Sequence, residues 1–287
     1  MADEARIALG VYHRDFPSDL GALDRYRRLT GHAPAIVHIF RNWGGATRTF
    51  DPALADAMTA AGAVPMVSWQ PPAGDLASVA GGADDGYARA CAAAVADWGG
   101  RLLLRFAHEM NGEWIPWRSD PAAFRAAWHR LHAIFREAGA ANVAWVWSPH
   151  VVDRRAADFE PFFPGADVVD WLALDGYNWG RSHRSTRWRS FEAIFAESYH
   201  RIVALAPGSP VMLAEIGCAE EGGNKAAWIR DALLRSVPEG CPAVRSVVWF
   251  HADPPGHANW RVDSSPGALE AWRDVVRHPS MRGAVPG

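Results

Sequence analysis

Eight short, mostly apolar runs recur along the chain, and polar and aromatic residues follow nearly every one. The runs are Arg6–Val11, Ala35–Phe40, Val64–Trp69, Leu102–Phe106, Val143–Trp147, Val168–Leu174, Pro210–Glu215 and Ser246–Phe250. Most are continuously apolar rather than alternating, as expected of parallel strands covered on both faces. Helical stretches with their own end signals lie between most of them. Asp51-Pro52 reads as an N-cap followed by a first-turn proline, and Gly62 closes that helix. Asp120-Pro121 opens another that ends near Gly139, with Phe124, Trp128, Leu131 and Phe135 on one face. Ser265-Pro266 opens the last, and Arg154–Gly165 is a further helix candidate after the fifth strand. Eight β-then-α units predict a closed (β/α)8 barrel. An open doubly wound sheet is the alternative, but Gly10-Val11-Tyr12-His13 stands where its phosphate-binding glycines belong.

The length, 287 residues, suits one such barrel, so residues 1–287 read as a single catalytic domain. With 49% hydrophobic residues and a net charge of −3, the chain has a core but no electrostatic footprint for nucleic acid or an anionic membrane. No apolar run is long enough to span a bilayer. Fifteen Trp against five Tyr suggest flat, half-exposed surfaces as well as packing. Cys91, Cys218 and Cys241 are too scattered for a disulfide framework or a zinc site, although Cys218 and Cys241 are free to pair. The first ten residues lack the pattern of a secretory leader.

Barrel active sites lie where the strands end. Here those ends read Tyr12-His13, Phe40-Arg41-Asn42-Trp43, Ser68-Trp69-Gln70, His108-Glu109-Met110-Asn111, Trp147-Ser148-Pro149-His150, Asp175-Gly176-Tyr177-Asn178-Trp179, Glu215-Ile216-Gly217 and Trp249-Phe250-His251. Such a lining suits an uncharged, hydroxyl-rich ligand with apolar faces, and a sugar chain is one. Glu109 and Glu215 follow apolar runs on the fourth and seventh strands, where an unused, unpaired carboxylate is expensive. Facing each other across a barrel mouth, two carboxyl groups about 5–5.5 Å apart make a retaining glycosidase. Tyr177, on the neighbouring sixth strand, is placed to donate to Glu215, and the Trp-rich segment around Glu109 raises a carboxyl pKa as a general acid requires. The alternative for each Glu is a plain salt bridge to an arginine such as Arg41 or Arg105.

Arg105-Phe106-Ala107-His108-Glu109-Met110-Asn111-Gly112-Glu113-Trp114-Ile115-Pro116-Trp117 resembles the acid/base segment of glycoside hydrolase family 26. That family includes β-mannanases, β-1,3-1,4-glucanases (lichenases) and β-1,3-xylanases. Leu213-Ala214-Glu215-Ile216-Gly217 resembles its nucleophile segment, and Asp175-Gly176-Tyr177-Asn178 the strand that carries its nucleophile-bonding tyrosine. The resemblance implies a (β/α)8 barrel, net retention, no metal and no cofactor. It makes Glu109 the general acid/base and Glu215 the nucleophile. His108, Asn111, Trp114, Trp117, Tyr177, Trp179 and Trp249 become substrate-binding residues, with Trp249 as the floor beneath the −1 sugar. One departure bears on the substrate: mannanases continue with a Trp-Phe-Trp-Trp-Gly-like run, whereas this chain has Trp114-Ile115-Pro116-Trp117-Arg118.

The expectation is therefore a monomeric retaining β-glycanase cutting internal linkages of a neutral polysaccharide, with β-1,3-1,4-glucan slightly ahead of β-1,4-mannan. A polysaccharide substrate implies export. Two other readings stay open at this point. One is a metal-dependent barrel hydrolase using His13, His108, His150, Asp175 and His251, although no closely spaced His pair occurs at a strand end. The other is a carbohydrate-binding barrel without catalysis.

Overall fold

The computed structural model describes residues 6–43, 50–74, 76–117 and 120–286. Met1–Ala5, on which the leader reading partly rests, and Arg118 lie outside the described residues. Eight parallel strands close into one barrel in chain order. They are β1 Ala8–His13, β2 Ile36–Asn42, β3 Val64–Gln70, β4 Leu102–Phe106, β5 Val143–Trp147, β6 Trp171–Asn178, β7 Val211–Cys218 and β8 Val244–His251. The apolar runs thus became strands, several of them longer at the C-terminal end than the runs suggested.

The helices pack outside. They are α1 Ala22–Thr30, α2 Pro52–Ala60, α3 Ala77–Ala80, α4 Asp85–Trp98, α5 Pro121–Glu137, α6 Phe191–Leu205, α7 Lys225–Asp231, α8 Val237–Gly240 and α9 Pro266–Arg277, with a π-helical turn at Ala232–Ser236 between α7 and α8. Asp51, Asp120 and Ser265 each cap a proline-led helix by accepting a hydrogen bond from its first-turn amides. Phe124, Trp128, Leu131 and Phe135 all bury against the barrel. The helix expected within Arg154–Gly165 does not form. Only the 3-10 turns Glu160–Phe162 and Ala166–Val168 follow β5, because Pro161, Pro164 and Gly165 interrupt any longer ladder. All three cysteines are buried free thiols, so Cys218 and Cys241 do not pair. Among the described residues no helix is long and apolar enough to cross a membrane.

The barrel interior changes character along its axis. Ile36, Met66, Leu103, Val146 and Ala173 form an apolar layer with Trp171, Met212, Ala214 and Val248. Two residues further along five of these strands stand His38, Ser68, Arg105, Ser148 and Asp175, all buried. Inward positions recur every second residue on a strand, so these five form the next layer up. That polar layer supports the site.

Candidate active site

Arg105 is the centre of the polar layer, fully buried on β4. Its Nε donates to Ser68 Oγ at 2.7 Å. Its Nη1 donates to both carboxylate oxygens of Asp175, at 2.8 and 2.9 Å. Its Nη2 donates to Glu215 Oε1 and lies 3.2 Å from His38 Nε2. Ser148 donates to Asp175 at 3.1 Å, and His38 meets Ser68 at 2.6 Å. One guanidinium thus joins β2, β3, β6 and β7, a fork geometry that a lysine ammonium lacks. Burial pushes His38 well below the usual imidazole range, and Arg105 beside it adds to that. His38 is therefore neutral.

Glu215 is on β7, and its second oxygen accepts from Tyr177 Oη on β6. Burial holds Tyr177 well above the ordinary phenol range, with the Glu215 charge acting the same way, so it remains a donor. Strict alternation would turn Glu215 outward, since Met212 and Ala214 already face in and Leu213 faces the helices. The register between β6 and β7 shifts at this point: Leu174 pairs with Leu213, but Asp175 pairs with Glu215. The extra residue is a bulge, which re-aims Glu215 into the barrel.

Glu109 stands just past β4 on strained backbone. Ala107 has φ 44° and Glu109 φ 54°, left-handed conformations that non-glycine residues adopt at a cost of about 1–3 kcal/mol each. Backbone bonds hold the turn: Ala107 N–H to Trp69 O at 3.1 Å, Glu109 N–H to Ser148 O at 2.7 Å and Gly112 N–H to Glu109 O at 2.8 Å. Burial raises the Glu109 pKa, and the Glu215 charge adds to it, while His150, the Trp114 indole and Arg105 oppose. Glu215 therefore does carry the arginine contact weighed from the sequence, plus the tyrosine. Glu109 instead accepts from Trp114 Nε1 at 2.5 Å.

Residues 92–230 match the family model described as glycosyl hydrolase family 26. Endoglucanase H of Acetivibrio thermocellus is 32% identical over 279 residues, 94% of this chain and 30% of that protein. The chain belongs to glycoside hydrolase family 26. Mannan endo-1,4-β-mannosidase A and B of Caldalkalibacillus mannanilyticus is 33% identical over 129 residues, 42% of this chain and 22% of that protein. The chain spans less than a third of either relative's length. In structure it is similar to the modular endo-β-1,4-mannanase of Cellulomonas fimi, with TM-score 0.72, 21% identity, and 97% and 72% of the two chains covered. A family 26 β-mannanase of Bacteroides ovatus gives TM-score 0.70, 19% identity, and 98% and 91% coverage. The (β/α)8 fold expected from the sequence is thus the fold of this family 26 chain.

The remaining expected site residues divide. His108 is buried against Phe40 and Trp117, with ring centroids 5.4 and 5.2 Å away, and its Nδ1 has no hydrogen-bond partner among the described residues. Burial and Arg105 hold it neutral. Trp114 is 37% exposed, with Arg155 over its ring at 5.5 Å and His150 edge-on at 4.8 Å. Trp179 is half-buried and packs on Trp260 and Tyr177. Trp117 is buried, not at the rim, and donates to His108 O at 3.1 Å. Asn111 is wholly committed to backbone: its amide donates to His150 O and Ala157 O, and its oxygen accepts from His150 N–H, each at 2.9 Å. It ties the loop after β4 to the loop after β5 and has no donor left for a sugar. His13 and His251 pack tilted against each other at 4.9 Å, and each meets Tyr26 edge-on.

Trp249 is a correction. It does not floor the site: it is fully buried, faces Trp228 of α7 and Trp272 of α9, and donates to Trp260 O at 2.7 Å. Its inward neighbour is Phe250, stacked on Tyr12 at 4.4 Å and edge-on to Tyr177 at 5.7 Å. Period-two alternation puts Phe250 on the same face as Val248, and the neighbouring strands make that face the inward one. Trp260, against Tyr177 at 4.9 Å, carries no such signal, because it comes from the loop after β8. That loop is held by the buried Lys225, whose ammonium donates to Asn259 O, Arg261 O and Ser264 Oγ at 3.0, 2.8 and 2.8 Å. Trp249→Phe is expected to lower stability by about 1–2 kcal/mol through the lost indole bond, without raising KM. Phe250→Ala should raise KM. Calorimetric Tm and steady-state kinetics on one glycan check both; a larger KM effect at Trp249 would reverse the assignment.

Proposed function

We propose that this chain is a retaining β-glycanase in which Glu215 is the nucleophile and Glu109 the general acid/base. The observation that carries the reading is the contrast between the two carboxyl groups. Glu215 is held by two donors, Arg105 and Tyr177, which orient one oxygen lobe for attack. Glu109 sits where burial and a neighbouring negative charge favour its protonated form. Environments that separate two carboxyl groups in this way assign the acid and the nucleophile.

In the first step a Glu215 oxygen bonds the anomeric carbon while Glu109 gives its proton to the departing glycosidic oxygen. In the second, Glu109 takes a proton from water, and the water oxygen displaces Glu215 from the anomeric carbon. Configuration is retained overall. Phe250 and Tyr12 offer apolar surface to the sugar, Trp114 a rim contact, and His108 a neutral hydrogen-bonding ring. Glu109→Gln should lower kcat by about 10²–10⁴-fold on polysaccharide and much less on an aryl glycoside with a good leaving group. The alkaline limb of the kcat profile, which the raised Glu109 pKa moves upward from that of a free carboxyl, should vanish in the variant. An unchanged limb would remove Glu109 from the role.

For substrate, β-1,3-1,4-glucan is favoured over β-1,4-mannan. Ile115-Pro116 departs from the mannanase run, and the relative that matches across most of the chain is an endoglucanase by name. The mannosidase relative supports the alternative over a shorter stretch. Lichenan, barley β-glucan, β-mannan and xylan assayed side by side, with product sizing, decide both the sugar and internal cutting. Faster release from mannan would overturn the preference.

A further inference from the structure

The loop after β6, residues 181–189, reads Arg-Ser-His-Arg-Ser-Thr-Arg-Trp-Arg and contains no acidic residue. The chain as a whole is slightly acidic, so general basicity does not account for it. Arg181, His183, Arg184 and Arg187 are exposed. Arginines on the adjoining elements are paired: Arg201 with Asp158 and Glu160, Arg230 with Asp274, and Arg235 with Asp231. Among the described residues none of the four loop arginines has an ion-pair partner. Of the nearby acidic residues, Glu220 accepts from Ser264 Oγ, and the exposed Glu221 meets the loop through its backbone carbonyl, which accepts from Arg181 N–H at 2.7 Å, with no ion pair to a loop arginine among the described residues.

The loop is also fixed in place beside the cleft. Asn178 Oδ1 accepts from Gly180 N–H and Arg189 N–H at 3.2 and 3.1 Å, closing both ends. Trp228 donates to Arg189 O at 2.9 Å, and the Trp188 ring lies on Gly223, where a Cβ would come within 2.2 Å of it. One residue, Gly180, separates the loop from Trp179, which packs against Tyr177, the partner of Glu215. Like charges crowded on a tethered loop without ion-pair contacts repel one another, and an incoming anion relieves that repulsion. Guanidinium forks pair bidentately with carboxylates as with phosphates, and the carboxylate is the anion that a uronate-bearing glycan presents.

We infer that the loop 181–189 binds carboxylate groups on the glycan, so that uronate-bearing chains are taken in preference to neutral ones of the same backbone. This rests on the glycanase reading above. The test uses carboxymethylated and hydroxyethylated forms of one polymer, prepared from barley β-glucan and from konjac glucomannan at matched substitution. At about 0.02 M salt, wild type should show kcat/KM at least about fivefold higher on the carboxymethylated form. The ratio should fall toward one at about 0.5 M salt, where charges are screened within a few ångström. Arg184→Gln/Arg187→Gln should abolish the preference. Arg136→Gln, an exposed arginine at the far end of α5, should keep it. A wild-type ratio near one at low salt, or a ratio unchanged in the double variant, overturns the proposal. If neither form is cleaved, the glycanase reading fails. Calorimetric binding of the same two polymers to the same proteins then still decides whether the loop selects carboxylates.

Discussion

Glu215→Ala is expected to lower kcat by on the order of 10⁵-fold on every glycan and every aryl glycoside. Leaving-group quality does not help, because in the proposed mechanism Glu215 is the group that attacks the anomeric carbon. This separates Glu215 from Glu109, whose loss is masked by a good leaving group. The same variant offers a second readout. Removing the carboxylate leaves a small space between Arg105 and Tyr177. A small anion such as azide fits the charge of that space and attacks from the face that Glu215 used. Rescue by azide with a glycosyl azide of inverted configuration is the expected product, identified by NMR. Near-normal turnover in Glu215→Ala would end the nucleophile assignment, and an inverted sugar as the first wild-type product would end the retaining mechanism.

The second large effect is at Arg105, and it reads stability and activity together. Arg105→Met leaves Asp175 and Glu215 buried without their counterion, a loss of about 3–5 kcal/mol. It should also lower kcat, since Glu215 keeps only Tyr177. Arg105→Lys retains the charge but cannot reach Ser68, Asp175 and Glu215 from one ammonium. It should keep more of the Tm than Arg105→Met while losing most of the kcat. Pairing Arg105→Met with Asp175→Asn removes one orphaned carboxylate and should recover part of the Tm without recovering kcat. Calorimetry and kinetics on the three variants check this. An Arg105→Lys enzyme with full kcat would show that the fork does not position Glu215.

Much of the barrel was legible because its signals are local. Asp51, Asp120 and Ser265 announce their helices through capping, and the apolar runs announce strands covered on both faces. Where local signals conflict, reading fails. The segment after β5 reads as a helix candidate, but Pro161, Pro164 and Gly165 permit only single turns. Asn111 was readable as a residue next to an acid, yet its amide is consumed by the backbone of residues 150 and 157, which no local pattern shows.

By itself the sequence determined the eight strands and most of the helices between them, the end of the barrel where polar residues gather, and the two glutamates that stand there. These depend on periodicity and on residue identity, which survive without coordinates. Tertiary structure decided which side chains face the cavity. An added residue in β7 turns Glu215 inward against strict alternation, and it is visible only in the pairing with β6. On β8 the neighbouring strands set the face, so Phe250 lines the site and Trp249 joins the helices. Arg105 looked from the sequence like a rival explanation for the glutamates. In the fold it is shared by four strands, because only barrel closure brings Ser68, Asp175 and Glu215 within reach of one guanidinium.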